Sequence, residues 1–224
     1  MKGGDILSAR PILIIGQPAS GKTSSLMTLN PAETFIIDSD MKGLNWRGWR
    51  KTYNKDKMNF VQTVEPKVIN NIFNKVNSEE KFKHIKTLVL DGLSTIMIED
   101  EMERMKEKGF DKWTDLAQCI YGIVSKIKDM RDDLTVVFIG HSQVDHDETG
   151  YIFTKLKTSG RKLDKIVLES KFNVVLLTRC VNGEYFFETQ SNNSTARSPR
   201  DCFDFKIPND LNFVINTLKK YEEE

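Results

Sequence analysis

The 224-residue chain has few cysteines, no long apolar runs and almost no net charge, and each of these shortages excludes a class of protein. Its three cysteines, Cys119, Cys180 and Cys202, are widely spaced and form no CxxC pair. This spacing excludes a disulfide framework or a zinc cluster and fits a reducing compartment. No apolar run approaches the ~20 residues that a membrane-spanning helix needs, and the opening MKGGDILSARP lacks the apolar stretch of a signal peptide. We therefore expect a cytoplasmic protein without membrane contact.

The charge balance limits the partners of the chain as a whole. Lys and Arg number 33 against 32 Asp and Glu, for a formal net charge of +1. Neutrality argues against strong nonspecific DNA binding by the entire surface, although a local basic patch stays open. With 39% hydrophobic residues, disorder over the whole length is excluded. We expect one domain over residues 1–224, with a core at about 10–207 and a C-terminal helix at about 210–221.

Hydrophobic patterning predicts alternating strands and helices. Continuous apolar runs, typical of strands buried on both faces of a parallel sheet, occur at residues 11–15, 34–38, 87–90 and 135–139. Helical spacing occurs at residues 22–29, 66–77, 93–108, 113–130 and 161–170. Residues 142–159 read as a loop or a weak hairpin, and strands at 172–178 and 185–189 flank an Asn182-Gly183 turn. The predicted fold is α/β, a mostly parallel central sheet flanked by helices with an antiparallel C-terminal hairpin.

A phosphate-binding loop follows the first predicted strand. Residues 16–23 read GQPASGKT and match the GxxxxGK[ST] pattern between a strand and a helix. The glycines let the backbone wrap a phosphate, and the successive N–H groups face the anion. Lys22 would reach the β- and γ-phosphates, and the Thr23 hydroxyl would ligate Mg²⁺. We predict ATP and Mg²⁺ as ligands, with the nucleotide contacted by Gly16, Gln17, Pro18, Ala19, Ser20, Gly21, Lys22, Thr23 and Ser24.

Polar side chains end three other predicted strands, at the sheet edge where ligands of such folds bind. Asp91 closes TLVLD and could hold Mg²⁺ opposite the loop, as Thr23 does from the loop itself. In IIDSD, Asp38 and Asp40 follow the second strand; Asp40 could orient and deprotonate water, or could cap the next segment. His141 in VVFIGHSQ could bond the γ-phosphate, or could be structural.

Two segments are candidates for contact with single-stranded DNA. Residues 42–57 hold six basic residues against one acidic residue, with three aromatics interleaved. They could bind nucleic acid or pack on a neighbouring subunit. Residues 151–157 combine aromatics, which can stack on bases, with lysines, which neutralise phosphates; the alternative is an ordinary amphipathic hairpin. The predicted DNA contacts are Arg47, Arg50, Lys51, Tyr151, Phe153, Lys155 and Lys157.

The phosphate loop, Asp40, Asp91 and His141, in this chain order, resemble the core of RecA/DnaB-type P-loop ATPases. More closely, IIDSDMKGLNWRGW and ARSPR resemble the short RecA-like ATPases of phage recombination systems, the Sak-four group of single-strand annealing proteins. The likeness covers about residues 10–207. It implies that Asp40 is the catalytic carboxylate, where relatives usually have Glu, and that His141 is the sensor. It also implies that Arg197 and Arg200 enter a neighbour's ATP site, although on residues alone they could form a solvated loop.

The resemblance implies a RecA-like ATPase that binds single-stranded DNA, is stimulated by it, and assists annealing or homologous recombination. It further implies a homo-oligomer, ring or filament, a single-strand binding protein as helper, and the host cytoplasm if the protein is phage-encoded. The catalytic set would be Lys22, Asp40, His141, Arg197 and Arg200. One alternative is an accessory ATPase, such as a helicase loader or packaging factor, that acts on a protein partner. A small-molecule or nucleotide kinase is disfavoured, because the chain shows no Arg-rich lid insertion.

Overall fold

The computed structural model describes residues 9–109 and 111–223, so residues 1–8 of the predicted domain lie outside it. The strands are β1 Arg10–Gly16, β2 Thr34–Asp38, β3 Phe60–Gln62, β4 Thr87–Asp91, β5 Thr135–His146, β6 Ile152–Leu156, β7 Val174–Val181, β8 Glu184–Glu188 and β9 Lys206–Pro208. The α-helices are α1 Trp49–Thr52, α2 Pro66–Ser78, α3 Leu93–Glu103, α4 Asp111–Ser125, α5 Arg161–Asp164 and α6 Leu211–Glu223. Short 3₁₀ helices occupy Thr23–Thr28, Glu80–Phe82, Lys126–Asp129 and Leu168–Lys171.

The described strands form one sheet in the order β3-β2-β4-β5-β1-β7-β8-β9, with β6 paired to the extended end of β5. Neighbouring strands are parallel in the part of the sheet formed by β3, β2, β4, β5, β1 and β7. The pairs β7–β8, β8–β9 and β5–β6 are antiparallel. Asn182 and Gly183, at φ 53° and 82°, make the β7–β8 turn in the left-handed conformations that a tight hairpin uses. The predicted mostly parallel sheet with an antiparallel C-terminal hairpin is confirmed.

Strand β1 lies at the centre of the fold because both of its faces are covered. Leu13 and Ile15 pack into the cluster formed with α2, α3 and α4. Ile12 and Ile14 face the opposite cluster, which includes α6 and the 3₁₀ helix after the phosphate loop. Burying each such side chain contributes roughly 1.5–3 kcal/mol. The loop at the end of β1 is therefore attached to a strand that is packed on both faces.

Several elements differ from the sequence prediction. The predicted helix at 22–29 is the 3₁₀ helix Thr23–Thr28, and the predicted helix at 161–170 is divided into α5 and a 3₁₀ turn. The helix predicted over 93–108 ends at Glu103. Of the two interpretations of residues 142–159, the hairpin is right, because β5 continues past the sheet edge to pair with β6. Strands β3 and β9 were not predicted, because three residues are too few to show the alternation of polar and apolar residues that marks a strand.

No helix within residues 9–109 and 111–223 is long and apolar enough to cross a membrane.

Candidate nucleotide-binding site

The phosphate loop is held against strand β7. A Cβ on Gly16 would lie 1.9 Å from Thr178 Oγ1, so only glycine fits there. The buried Thr178 hydroxyl shares a hydrogen bond with Ser20 Oγ and donates to the carbonyl of Ile15 at 3.1 Å. Gly21 stands at φ 98°, a conformation open to glycine and costly for other residues. These contacts fix the loop on the sheet before any ligand arrives.

The lysine of the loop folds back over it. Lys22 Nζ donates to the carbonyl of Gly16 at 2.9 Å and to that of Gln17 at 2.8 Å. Burial lowers the pKa of Lys22, while the nearby Asp91 and Asp40 carboxylates oppose that change. A phosphate entering the loop would offer the ammonium a charged acceptor in place of two neutral carbonyls, and charge-assisted hydrogen bonds are the stronger kind.

Thr23 and Asp91, the two predicted metal-binding residues, are in direct contact. Thr23 Oγ1 donates to Asp91 Oδ2 at 2.7 Å across the gap between the loop and β4. The pKa of Asp91 is raised to about 7, mainly by burial and also by the charges of Asp40 and Asp38, while the Thr23 hydrogen bond acts to lower it. A cation beside this carboxylate would offset the cost of burying its charge.

The donor set at Thr23 and Asp91 fits Mg²⁺. A hydroxyl and a carboxylate are the hard oxygen ligands that this ion prefers, usually together with substrate phosphates and water. Among residues 9–109 and 111–223 no group of three or more His, Cys, Asp or Glu side chains is arranged to hold a metal. Thr23 and Asp91 supply two ligands, so a Mg²⁺ held by this pair would take further oxygen ligands from nucleotide phosphates and water.

Asp40 lies beside Asp91, and a glycine makes this approach feasible. Gly92 adopts φ 110°, and a Cβ there would stand 2.7 Å from the backbone N of Asp40. Asp40 Oδ1 accepts a hydrogen bond from Thr95 Oγ1 on α3, and Oδ2 accepts one from Lys42 Nζ at 2.9 Å. Burial acts to raise the pKa of Asp40, but the bonds from Thr95 and Lys42 outweigh it and leave the pKa below its usual value.

Asp38, in contrast, has a structural position. Its buried Oδ2 accepts hydrogen bonds from the backbone N–H of Gly43 at 2.7 Å and from Gln62 Nε2 on β3 at 2.8 Å. These bonds fix the turn that follows β2 and so fix the backbone on either side of Asp40. The two aspartates of IIDSD therefore do different work.

His141 lies between the loop and the acidic strand ends. Strand β5 runs between β1 and β4, and His141 pairs in register with Gly16. Its backbone N–H donates to Ser94 Oγ at 3.0 Å, and its buried Nδ1 has no hydrogen-bond partner among the described residues. Burial, and then the charge of Lys22, lower the pKa of His141. A neutral imidazole at this place can donate to a phosphate oxygen.

The opposite side of the loop carries residues that no motif indicated. A Cβ on Gly21 would stand 2.7 Å from Tyr185 Cδ1 and 3.1 Å from Asn209 Oδ1. Ser24 Oγ accepts a hydrogen bond from Asn45 Nδ2 at 2.9 Å. Because Tyr185 is the second residue of β8 and Asn209 follows β9, both sit on the side of β1 away from Asp91. Like Thr178, they come from strands far along the chain, and their own sequence contains no signal for this role.

The predicted basic pair is remote from the phosphate loop of its own chain. The backbone of Arg197 pairs with Val175, the second residue of β7, and its guanidinium donates to the carbonyl of Glu169. Val175 lies three residues before Thr178, roughly 10 Å along the strand. The side chain of Arg200 is 92% exposed. Arg197 is therefore held away from the loop of its own chain, and a role of Arg197 and Arg200 in the ATP site of another subunit stays a prediction.

The predicted DNA contacts on the hairpin are largely engaged within the chain. The rings of Tyr151 and Phe153 stack with centroids 6.5 Å apart, and Tyr151 Oη donates to Asn193 Oδ1 at 2.7 Å. Lys155 forms an ion pair with Asp145. Lys157 is exposed. Of the four predicted contacts on the hairpin, Tyr151 and Lys155 thus already have polar partners within the chain.

Residues 42–57 separate into a buried half and an exposed half. Tyr53 is buried, and Trp46 and Trp49 pack partly against the same core cluster. Lys42 pairs with Asp40, but the other five basic side chains of the segment are exposed and form no ion pair among the described residues. We call these five residues the basic surface: Arg47, Arg50, Lys51, Lys55 and Lys57. The aromatics anchor the segment, Arg50 lies over the ring of Trp49 at 5.4 Å from its centroid, and the five cations face solvent.

A parallel sheet with a GxxxxGKT loop after its central strand and an opposed aspartate on another strand end defines a P-loop NTPase. A family described as AAA domain matches the chain over residues 8–198. The chain therefore belongs to this AAA domain family and carries an ATPase-type, nucleotide-binding domain. No curated protein matches the sequence. The narrower likeness to phage annealing proteins stays a prediction.

Proposed function

We propose that the protein hydrolyses ATP in this site and couples turnover to single-stranded DNA, as an oligomer that assists annealing in a phage-type recombination system. One observation carries the ATPase part of the proposal. Thr23, which follows Lys22 in the phosphate loop, contacts Asp91, and Asp40 lies directly beside Asp91. Those groups are the ones that phosphoryl transfer to water requires.

The residues divide the work of hydrolysis among them. The loop N–H groups and Lys22 bind the phosphates of ATP, and bound Mg²⁺ would neutralise charge on the β- and γ-oxygens beside Thr23 and Asp91. Asp40 orients a water whose oxygen bonds to the γ-phosphorus. The bond from that phosphorus to the bridging oxygen breaks, and its electron pair stays on ADP. The water proton passes to Asp40 and then to solvent. His141 donates to the γ-phosphate and holds it in line.

The basic surface supports the DNA part of the proposal. Its five cations have no acidic partner among the described residues and can neutralise backbone phosphates. The same segment begins at Lys42, which contacts Asp40. A strand of DNA on this surface would thus lie next to the carboxylate that orients water, which is a direct route for stimulation of turnover.

The test measures ATP turnover with and without single-stranded DNA, together with DNA binding at several salt concentrations. The triple variant Arg47→Ala/Arg50→Ala/Lys51→Ala should lose binding and stimulation but keep basal turnover. A matched control removes the same charge from exposed lysines elsewhere, Lys67→Ala/Lys106→Ala/Lys108→Ala, and should behave as the wild type. Equal DNA binding by the two variants would refute the basic surface as the DNA site.

A second candidate function, an accessory ATPase acting on a protein partner, is favoured by one observation. Val144 and Ile152, on neighbouring strands of the β5–β6 hairpin, are 63% and 61% exposed. Apolar side chains grouped at a hairpin tip suit a protein contact. ATP-dependent binding to a protein partner that is lost in Val144→Ser/Ile152→Ser, with no salt-sensitive DNA binding, would favour this function.

A further inference from the structure

A cation of the same chain reaches into the catalytic site from solvent. Lys42 Nζ stands 2.9 Å from Asp40 Oδ2; the side chain of Lys42 is 68% exposed, whereas that of Asp40 is 13% exposed. The other oxygen of Asp40 is held by Thr95. One oxygen is therefore bonded from within the fold, and the other is bonded by a long side chain that comes in from outside.

The backbone that carries Lys42 is fixed. Met41 and Gly43 adopt φ 58° and 76°, so the lysine sits in a tight turn. The N–H of Gly43 is bound by the buried carboxylate of Asp38, which Gln62 also holds. The anchor point of the side chain is thus set by the sheet, while its four-carbon stem and ammonium are exposed and able to change acceptor.

Lys42 lies on the side of the loop where Thr23 meets Asp91. Thr23 donates a hydrogen bond to Asp91, and Gly92 follows Asp91 in the chain. Because Gly92 has no side chain, the backbone of Asp40 can pack against it; a Cβ on Gly92 would stand 2.7 Å from the backbone N of Asp40. The charge of Lys42 influences the pKa values of both Lys22 and His141, which accords with that closeness. Arg197 and Arg200 are remote from this edge in their own chain.

We propose that Lys42 is a catalytic residue that supplies, within one chain, a second positive charge at the γ-phosphate. When ATP binds, its ammonium leaves Asp40 Oδ2 for a γ-phosphate oxygen, and the freed Oδ2 accepts a hydrogen bond from the attacking water. Lys42 stays protonated, forms no covalent bond and offsets the charge that develops in the transition state. The inference rests on the proposed ATPase function.

The experiment measures kcat, and the affinities for ADP and for a non-hydrolysable ATP analogue, in the full chain. Lys42→Ala should lower kcat by about 10²-fold, as loss of one transition-state donor does. It should weaken binding of the analogue while leaving ADP affinity unchanged, because ADP has no γ-phosphate. Lys42→Arg should retain most of both properties. Lys67→Ala, an exposed lysine outside the basic surface, is the matched control and should match the wild type.

Two further comparisons separate direct contact from an effect through Asp40 or through a neighbour. In an Asp40→Asn background, adding Lys42→Ala should still weaken analogue binding; no further loss would show that Lys42 acts only on Asp40 and would overturn the proposal. If Lys42 acted on a neighbouring subunit, a Lys22→Ala chain could supply it to the ATP site of a Lys42→Ala chain. Mixing the two variants should therefore restore no turnover, and restoration would overturn action within one chain. A wild type without ATP turnover would defeat the proposed function too, whereas an active wild type matched by Lys42→Ala would defeat this inference alone.

Discussion

Replacing Thr178 by Val should loosen the phosphate loop although Thr178 lies 158 residues from Ser20, the loop residue it contacts. Valine has the shape of threonine but no hydroxyl. The change therefore removes the hydrogen bond to the Ile15 carbonyl and the one shared with Ser20 Oγ. Ser20 keeps its bond to the Gln17 carbonyl at 2.7 Å, so the loss falls mainly on the anchoring to β7.

The expected size follows from these bonds. A buried hydrogen bond contributes about 1 kcal/mol net, and a buried group left without a partner costs about 1–3 kcal/mol. Thr178→Val should therefore lower the free energy of unfolding by about 1–3 kcal/mol. At about 2–4 °C per kcal/mol for a chain of this size, the Tm should fall by roughly 2–12 °C. Binding of an ATP analogue should weaken as well, because the loop must then be ordered by the ligand.

Urea unfolding and analogue titration of the same samples test this reasoning. Thr178→Ser keeps the hydroxyl and loses one methyl, so it should retain wild-type analogue affinity. If Thr178→Val unfolds within about 0.5 kcal/mol of the wild type, a shift typical of uninvolved surface positions, and binds the analogue equally well, the anchoring argument is refuted.

Four other outcomes are expected. Lys22→Ala should abolish phosphate release from ATP, since no other loop side chain supplies its charge. Gly92→Ala, strained at φ 110° and 2.7 Å from the Asp40 backbone, should lower kcat at least about 10-fold with a native circular dichroism spectrum. Chelation of Mg²⁺ should stop turnover reversibly, and Asp91→Asn should raise the Mg²⁺ concentration needed for half-maximal rate. Because the folded pKa of His141 lies below its ordinary 6.5, unfolded chains bind the extra proton first. Its contribution to stability, present above that pH, should fade as pH drops, so the unfolding free energy of the wild type relative to that of His141→Gln should be lower at pH 5.5 than at pH 7.5.

The sequence indicated those parts of the site that are formed by residues adjacent in the chain. The run before Gly16, the loop itself and the aspartate closing TLVLD are local patterns, and the structure brings Thr23 and Asp91 together. The sequence did not distinguish the roles of Asp38 and Asp40, because both end the same strand. Only their partners, Gly43 and Gln62 for one and Thr95 and Lys42 for the other, separate a structural carboxylate from an accessible one.

The basic segment shows the same division. Its surplus of positive charge is visible in the sequence, but its aromatic residues looked equally suited to stacking on bases. Burial decides against that for Tyr53 and in part for Trp46 and Trp49, since a side chain packed in the core has no free face to offer. On the hairpin, the pairing of Lys155 with Asp145 depends on a cross-strand register that no local pattern encodes.

The sequence alone determined that this chain has buried strands of the kind found in parallel sheets and a phosphate loop after the first of them, because each of these features is a pattern of residues adjacent in the chain. Only the tertiary structure decided that β5 lies between β1 and β4, that Thr178 anchors the loop, and that Lys42 stands on Asp40 while Arg197 and Arg200 lie away from their own site. Those facts depend on contacts between distant segments. Such contacts form because burying both faces of the sheet aligns its strand ends, and the side chains at that edge meet as a result.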